Sequence, residues 1–288
     1  MKAALFDYLR PATLADGLRR LAEPDVGGKG AAKVMGGSQS LGPMLNLRLA
    51  RPPAVVDVTA LPELRGVTLV DGRLRIGGAV THAEIEDGVF PLLADDSPGS
   101  ALLRAVAGGI AYRAIRNRGT LAGSLAHADP AADWVLAMTA LSAQLELRSA
   151  GGQRLLPVER FMHGAYTTAL AEGELIAAVH LPRLGADARW GYAKACRKPG
   201  EFAEAACCAV FDAERGVARV VIGALDGAPR ALPGLATAVA ASGALPERAE
   251  IDAAIAAAAP GKDAIDRKLM TATVRRCLQQ VLAPETTA

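Results

Sequence analysis

The sequence has few aromatic residues and no strong excess of charge of either sign. Phe, Trp and Tyr make up 4% of its 288 residues although 51% are hydrophobic, so the core must consist mainly of Ala, Leu and Val. The formal net charge is +2, and Lys and Arg are dispersed rather than clustered. This distribution excludes the basic field that nucleic-acid binding requires. The length allows one large domain or two to three small ones.

The pattern also predicts neither a signal peptide nor a membrane span. Asp7 stands where a signal peptide needs its apolar region, and no stretch reaches the ~18 apolar residues that a membrane span requires. We therefore expect a cytoplasmic protein with no membrane span.

Cysteine is scarce, and none of it forms a C-x-x-C pair. The four cysteines are Cys196, Cys207, Cys208 and Cys277. Cys207 and Cys208 are adjacent in an apolar run, where successive strand side chains point to opposite faces, so they suit neither one metal ion nor an ordinary disulfide. We expect reduced thiols in the core, no metal site, and no iron–sulfur cluster held by this chain.

The known phosphate-binding fingerprints are absent. No G-x-x-x-x-G-K-[ST] occurs, which excludes the nucleoside-triphosphate loop. The nearest approach to G-x-G-x-x-G is Gly28-Lys29-Gly30, which lacks the third glycine and precedes a predicted strand instead of following one. A dinucleotide, if one binds, must therefore bind on a scaffold other than the Rossmann fold.

Two glycine-bearing segments, roughly 80 residues apart, are the most informative feature that the sequence does contain. They read Val34-Met35-Gly36-Gly37-Ser38-Gln39-Ser40-Leu41, called segment A, and Thr120-Leu121-Ala122-Gly123-Ser124-Leu125, called segment B. Glycine lets the main chain approach a ligand closely, and neighbouring N–H groups can converge on an anion. One such segment is ordinarily a tight turn. Two of them, both with hydroxyl side chains, suggest a pyrophosphate held from two sides.

The remaining pattern predicts an α+β fold built from hairpins rather than repeated βαβ units. Helices are expected after the caps Thr13 and Thr81 and over 102–107 and 265–282, the last with Ile265 on its apolar face. Two hairpins are expected, over 67–76 with an Asp-Gly turn and over 144–158. Further strands are predicted at 32–35, 55–58, 174–181, 190–197, 205–211 and 218–225.

Several polar residues have competing interpretations. His82 lies inside the Thr81 capping box, which favours a surface role over catalysis. Asp57 is predicted on the polar face of its strand. Asp129 precedes Pro130, the arrangement typical of a helix start. Asp133 lies one turn further on and could either receive a ligand hydroxyl or favour the helix N-terminus.

At the two glycine segments, the sequence resembles the FAD-binding medium subunit of the molybdenum hydroxylase family, which includes xanthine and carbon monoxide dehydrogenases. That family carries Ala-Gly-Gly-Gln-Ser-Leu followed by Pro-Met-Leu-Asn-Leu-Arg, and here the corresponding residues are 36–41 and 43–48. The second family motif, Ile-Arg-Asn-Arg-Gly-Thr-Ile-Gly-Gly-Ser/Asn with a following Asp-Pro, corresponds to residues 115–124 and 127–130. The similarity runs from Phe6 to at least Ala209.

The resemblance implies the FAD-binding fold of the vanillyl-alcohol oxidase-like (PCMH) type, with a C-terminal antiparallel sheet plus helices. It implies an FAD-binding domain over 1–177, made of two α/β subdomains of about 1–56 and 57–177. A C-terminal domain would cover 178–288.

The resemblance also implies which residues bind the cofactor. The backbone amides of both segments would hold the FAD pyrophosphate, Asp133 would be the acidic FAD contact, Ile176 would touch the flavin through its backbone, and Lys194 would lie beside it. A cation there could stabilise reduced, anionic flavin. The full implied set is Val34, Met35, Gly36, Gly37, Ser38, Gln39, Ser40, Leu41, Thr120, Leu121, Ala122, Gly123, Ser124, Asp133, Ile176 and Lys194.

Some positions qualify that assignment. Ser38 and Ala122 stand where relatives commonly have Gly, and either would be strained if its position required a positive φ. Phe202 occupies a place where relatives often have Tyr near the flavin ring, and His127 is expected to be structural or adjacent to FAD. Segment A has no His or Cys to tether flavin, so FAD should be non-covalent. No residue is assigned to catalysis.

The implied function is electron transfer. In the family, a large molybdopterin-binding subunit oxidises substrate and a small subunit carries two [2Fe-2S] clusters. Electrons then reach the FAD held here and leave to an acceptor such as NAD or oxygen, within a heterotrimer. Two alternatives remain: a stand-alone flavin-dependent oxidoreductase, for which no substrate-binding constellation is evident, and a non-catalytic assembly protein on the same fold, suggested only by Ser38 and Ala122.

Overall fold

Three short parallel strands position segment A at the carboxyl end of a sheet. The structure is a computed structural model that describes residues 2–23 and 31–283, so Gly28-Lys29-Gly30 lies outside the described residues. The first sheet has the order β1-β3-β2, with both pairs parallel. Its elements are β1 (Asp7–Leu9), α1 (Leu14–Leu21), β2 (Lys33–Met35), α2 (Leu41–Asn46) and β3 (Ala54–Asp57). Segment A therefore joins β2 to α2.

A five-stranded antiparallel sheet follows, and it confirms both predicted hairpins. Its order is β4-β5-β10-β6-β7, and a separate hairpin pairs β8 with β9. Asp71 and Gly72 adopt φ angles of 48° and 73°, as the predicted type I′ turn requires. The strands are β4 (Val67–Val70), β5 (Arg73–Gly77), β6 (Gln144–Ser149), β7 (Gly152–Pro157), β8 (Met162–Gly164), β9 (Thr167–Thr168) and β10 (Leu175–Pro182).

Six helices lie between β5 and β6 in the chain and cover one face of this sheet. The predicted capping box is present, because the Thr81 hydroxyl accepts from the Glu84 N–H while the Glu84 carboxylate accepts from the Thr81 N–H. The helices are α3 (His82–Glu86), α4 (Pro91–Ala94), α5 (Pro98–Gly108), α6 (Arg113–Arg116), α7 (Leu121–His127) and α8 (Asp133–Ala140). Segment B is the first part of α7.

The last part of the chain forms an antiparallel sheet covered by helices, as predicted. Its strand order follows the chain. The elements are β11 (Arg189–Ala195), β12 (Ala205–Asp212), β13 (Val217–Gly223), β14 (Arg230–Ala231), α9 (Pro233–Ser242), α10 (Arg248–Ala258) and α11 (Ala264–Leu282). None of the helices in the described parts of the chain is long and apolar enough to cross a membrane. The cytoplasmic location stays a prediction.

Two main cores lie on the two faces of the C-terminal sheet. One joins this sheet to the five-stranded sheet through the helices that lie between them, and the other lies under α9 to α11. Cys208 belongs to the first core and Cys207 to the second, which confirms that adjacent cysteines point to opposite faces. In residues 2–23 and 31–283, no group of three or more His, Cys, Asp or Glu side chains is arranged to hold a metal ion.

Two predictions about single residues were wrong, and Asp57 is more buried than a polar strand face suggests. Asp57 is only 8% exposed, and its carboxylate accepts from the Thr59 N–H and hydroxyl and from the Tyr8 hydroxyl. Ile265 is 77% exposed in the first turn of α11, so it does not belong to the apolar face of that helix. Asp129 does not cap a helix: its side chain accepts from the Ala131 N–H within a turn, and α8 begins at Asp133.

The predicted domain boundary after residue 177 falls inside β10. Ala178 to Pro182 pair with β5 on one side, and residues up to His180 pair with β6 on the other. A boundary there would divide a central strand of the five-stranded sheet. The two-domain division stays a prediction, and we propose that its junction lies in the connection between β10 and β11.

Candidate functional site

Segment A packs against the backbone just before segment B and against Thr120, the first residue of segment B. A Cβ on Gly37 would overlap the Arg118 carbonyl oxygen and stand 2.7 Å from the Gly119 Cα, and a Cβ on Gly36 would stand 2.7 Å from the Thr120 Oγ1. Only glycine at position 37 allows this approach, because the obstructing atoms are main chain and cannot turn away. The structure thus brings together two segments that are distant in sequence.

Segment A presents a run of free backbone donors. Within residues 2–23 and 31–283, the N–H groups of Gly37, Ser38, Gln39 and Ser40 donate to no protein acceptor. The carbonyls of the same residues are used instead: Gly37 accepts from the Gln39 side chain, and Ser38 and Ser40 accept from the first turns of α2. Successive N–H groups around a left-handed residue form an anion-binding concavity. Segment A therefore fits a phosphate group.

Segment B has the opposite character. Leu121 N–H donates to the Val80 carbonyl and Ala122 N–H donates to the Gly78 carbonyl. Gly123 and Ser124 donate to the hydroxyl and carbonyl of Thr120, the N-cap of α7. Four backbone amides of segment B, those of residues 121–124, are thus engaged inside the protein, whereas the Thr120 N–H donates to no acceptor among the described residues.

The two departures from the family glycines differ in conformation. Ser38 has φ 63°, so this position does require the left-handed region, and the serine carries the strain expected of it. Ala122 lies in α7 and is absent from the described residues with positive φ. Only one of the two replacements therefore strains the backbone.

Asp133 and Lys194 form one buried pair. Lys194 Nζ lies 2.9 Å from Asp133 Oδ1 and donates to the Gly109 carbonyl at 2.7 Å. The Tyr192 hydroxyl donates to the same carboxylate oxygen. Burial, and then the Asp133 charge, raise the pKa of Tyr192 well above its ordinary value. This pair joins α8 to β11, since one partner belongs to each.

Ile176 lies beside the start of segment B. It is buried at an irregularity of β10, where the pairing with β6 shifts between Ile176 and Ala178. A Cβ on Gly78 would overlap its carbonyl oxygen, and the Gly78 carbonyl accepts from Ala122 N–H. The backbone of Ile176 therefore packs against the strand end that supports α7.

His82 is buried, so its predicted surface role was wrong. It is 5% exposed, and its Nδ1 accepts from the Trp134 Nε1–H at 3.0 Å. Burial, and then the positive charge of Arg116, lower the pKa of His82 to about 4. The imidazole is therefore neutral at pH 7. The capping-box signal was correct locally, but it could not show that Trp134 covers the ring.

The first of the two arginines in the second motif has a structural role. Arg116 contacts both carboxylate oxygens of Glu86, at 2.7 and 3.0 Å, and donates to the carbonyls of Ile110 and Ala111, both at 3.0 Å. These bonds secure the turn that leads from α5 into α6. Phe202, by contrast, is 66% exposed on the turn between β11 and β12.

His127 and Asp129 share a third residue, Tyr166. The His127 and Tyr166 rings lie 5.1 Å apart, and the Tyr166 hydroxyl donates to Asp129 Oδ2 at 3.2 Å. Sequence reasoning missed Tyr166, Trp134 and Tyr192. A signal existed only for Tyr192, which precedes Lys194 by two residues and so shares its strand face.

The chain is similar in sequence to FAD-binding subunits of known dehydrogenases and hydroxylases. A family described as FAD binding domain in molybdopterin dehydrogenase matches residues 4–184. The nicotine 6-hydroxylase medium subunit of Paenarthrobacter nicotinovorans is 33% identical over 253 residues, covering 87% of this chain and 85% of the relative. The carbon monoxide dehydrogenase medium chain of Hydrogenophaga pseudoflava is 32% identical over 233 residues, covering 79% and 76%.

Two solved structures have the same fold as this chain over nearly its whole length. Quinoline 2-oxidoreductase from Pseudomonas putida 86 aligns with a TM-score of 0.82 and 29% identity, covering 98% of both chains. Carbon monoxide dehydrogenase from Hydrogenophaga pseudoflava aligns with a TM-score of 0.85 and 28% identity, again covering 98% of both chains.

Proposed function

Because this chain belongs to the family of FAD-binding domains in molybdopterin dehydrogenases, we propose that it is the electron-transfer subunit of a molybdenum hydroxylase complex. FAD is its cofactor, and its α+β fold is the PCMH type found in the carbon monoxide dehydrogenase structures. The observation that carries the proposal is the run of four N–H groups in segment A that have no acceptor among the described residues, beside the close contact of Gly37 with Arg118 and Gly119.

The residues of segment A would hold the pyrophosphate. These four N–H groups have no acceptor among the described residues, and because Gly37 is buried its N–H in particular favours a ligand that accepts from it. An anion is the ligand that such a group of donors prefers. Segment B would contribute through side chains, because the Ser124 hydroxyl makes no hydrogen bond to another described residue while its backbone is engaged.

Asp133 and Lys194 would act on the flavin as a fixed pair. The lysine is held by two acceptors, so its charge has a defined position and little freedom to move. When bound, FAD would allow electrons to arrive one at a time from an iron–sulfur donor and to leave as a pair to the acceptor. We propose that Lys194 favours the reduced state of the cofactor through its positive charge, and that Asp133 sets where that charge lies.

The partners follow from the relatives. Several are named as medium subunits or chains of hydroxylases and dehydrogenases, and one as a subunit of a 6-hydroxypseudooxynicotine dehydrogenase complex. We propose that this chain likewise assembles with a large molybdopterin-binding subunit and a small [2Fe-2S] subunit. NAD or oxygen as the final acceptor stays a prediction.

A visible absorption spectrum of the full chain, purified alone and again after adding FAD, tests the proposal. We expect flavin bands that elute with the protein and that denaturation releases into the filtrate, since segment A offers no residue for a covalent bond. Flavin that remained with the precipitated protein would contradict non-covalent binding. No flavin in either sample, with the chain folded by circular dichroism, would contradict the proposed function for the isolated subunit.

A further inference from the structure

A buried histidine lies directly behind the residue that precedes segment B. A Cβ on Gly119 would stand 2.7 Å from His82 Nε2 and 2.8 Å from His82 Cδ2. The backbones also pair: His82 N–H donates to the Gly119 carbonyl at 2.9 Å, and an isolated antiparallel bridge joins Thr81 to Thr120. The imidazole therefore determines how closely the chain before segment B approaches α3.

One hydrogen bond fixes that imidazole. Trp134 Nε1 donates to His82 Nδ1 at 3.0 Å, and both rings are buried. A ring nitrogen that accepts a hydrogen bond cannot carry a proton, so the neutral ring carries its proton on Nε2, the atom facing Gly119. Trp134 is the residue after Asp133 in α8, which places the anchor of the histidine next to the buried ion pair.

The contact continues to segment A. Gly119 packs on the imidazole, and its Cα lies 2.7 Å from where a Cβ of Gly37 would stand. Gly37 is the first of the residues with a free N–H group. His82, which belongs to neither segment, thus determines how close the chain before segment B lies to segment A.

We infer that His82 is a positioning residue of the FAD site, holding Gly119, and through it segment B, at a fixed distance from segment A. The inference rests on the proposed function, because it concerns the same site. A histidine that only filled the core would support the stability of the protein without changing the affinity of the folded protein for FAD.

FAD titrations of the full-length chain and its variants, followed by flavin fluorescence, test this role. Trp134→Phe keeps an aromatic ring but removes the donor that orients His82, and we expect its Kd to rise roughly tenfold, equivalent to about 1.4 kcal/mol. Gly119→Ala should weaken binding at least as much, because its methyl group meets His82. His82→Ala combined with Gly119→Ala should bind FAD more tightly than Gly119→Ala alone, since the two closest obstructing atoms are gone and only the Ile115 carbonyl oxygen, at 3.2 Å, remains. Phe161→Leu, a change elsewhere in the same core, is the matched control.

Urea unfolding of each variant separates position from stability. If Trp134→Phe and Gly119→Ala lose stability as Phe161→Leu does, while all Kd values equal that of the wild type, the positioning role is overturned and the proposed function stands. A wild-type chain that is folded but binds no FAD would overturn the proposed function, and this inference with it. Weaker binding in the first two variants alone, with partial recovery in the double variant, supports the inference.

Discussion

Segments A and B both consist of small and hydroxyl-bearing residues around glycine, yet their backbones are used differently. In segment A the N–H groups of four consecutive residues are free within the described chain, whereas in segment B those of residues 121–124 donate to the Gly78 and Val80 carbonyls and to Thr120, the helix cap. The surroundings cause the difference. Segment A leaves a parallel strand through a left-handed serine, while segment B begins a capped helix next to β5 and β10. A glycine-rich segment thus acquires its role from what its backbone contacts.

The largest effect should come from separating the two segments. In Gly37→Ala the new methyl group would overlap the Arg118 carbonyl oxygen, so segment A must move away from the chain that leads into segment B. We expect FAD affinity to fall at least ~100-fold, on the order of 3 kcal/mol, from misplaced donors. Equilibrium dialysis against FAD measures it. Gly234→Ala, where a Cβ meets nothing within 4 Å, is the matched control and should bind like the wild type.

Acid should weaken the support of segment B. His82 has a pKa of about 4 in the folded protein against an ordinary value of 6.5, because it is buried near Arg116. Below pH 6.5 His82 binds a proton in the unfolded chain but not in the folded chain. The free energy of unfolding therefore falls as the pH drops, and the loss is complete near pH 4. The expected loss is about 3 kcal/mol.

The free energy of unfolding of the wild type and of His82→Gln, measured by urea denaturation from pH 7 to 4, tests this. The variant should lose less stability over that range, and the difference between the two curves isolates His82 from the carboxylates. Parallel curves would show that His82 binds its proton equally in both states.

The hydroxyl groups at the starts of α7 and α2 should differ in how much they contribute to stability. The Thr120 hydroxyl accepts from the Gly123 N–H, whereas Ser40, the N-cap of α2, makes no capping hydrogen bond. Thr120→Ala should therefore lower the free energy of unfolding by about 1 kcal/mol. Ser40→Ala should leave it unchanged in chemical denaturation. Equal losses in both variants would contradict the difference between the segments.

The smallest effects concern the two departures from glycine. Ser38→Gly relieves a left-handed backbone and should stabilise the protein by about 0.5 kcal/mol, because relief of strain exceeds the added flexibility of the unfolded chain. Ala122→Gly places glycine inside a helix and should cost about 1 kcal/mol. Thermal unfolding of both variants should thus show shifts of opposite sign.

Local patterns predicted most of the fold. The Asp-Gly turn, the Thr81 capping box and the alternating strands depend on neighbours within a few residues, and the structure contains all of them. The start of α8 was misplaced because Asp129-Pro130 carries a strong local cap signal, while Asp129 instead closes a turn with Ala131 and binds Tyr166.

The site was predictable only as far as it is contiguous in sequence. The two segments could be recognised from their own residues, but the ion pair joins residues 61 positions apart and the His82–Trp134 bond spans 52. Such contacts arise when separate elements pack, and no periodicity in either element marks them. The binding roles of Ile176 and Lys194 stay predictions for the same reason.

The close packing of β11 on α11 has a consequence for the order in which the site is made. A Cβ on Gly191 would overlap the Cys277 carbonyl oxygen, so the strand that carries Lys194 lies directly on that helix. During translation, the core under the first sheet is complete once Leu175 and Ala177 of β10 have been made, but β11 reaches its final place only after residue 277 has emerged from the ribosome. The ion pair that we propose acts on the flavin therefore forms later in synthesis than the sheet that carries segment A.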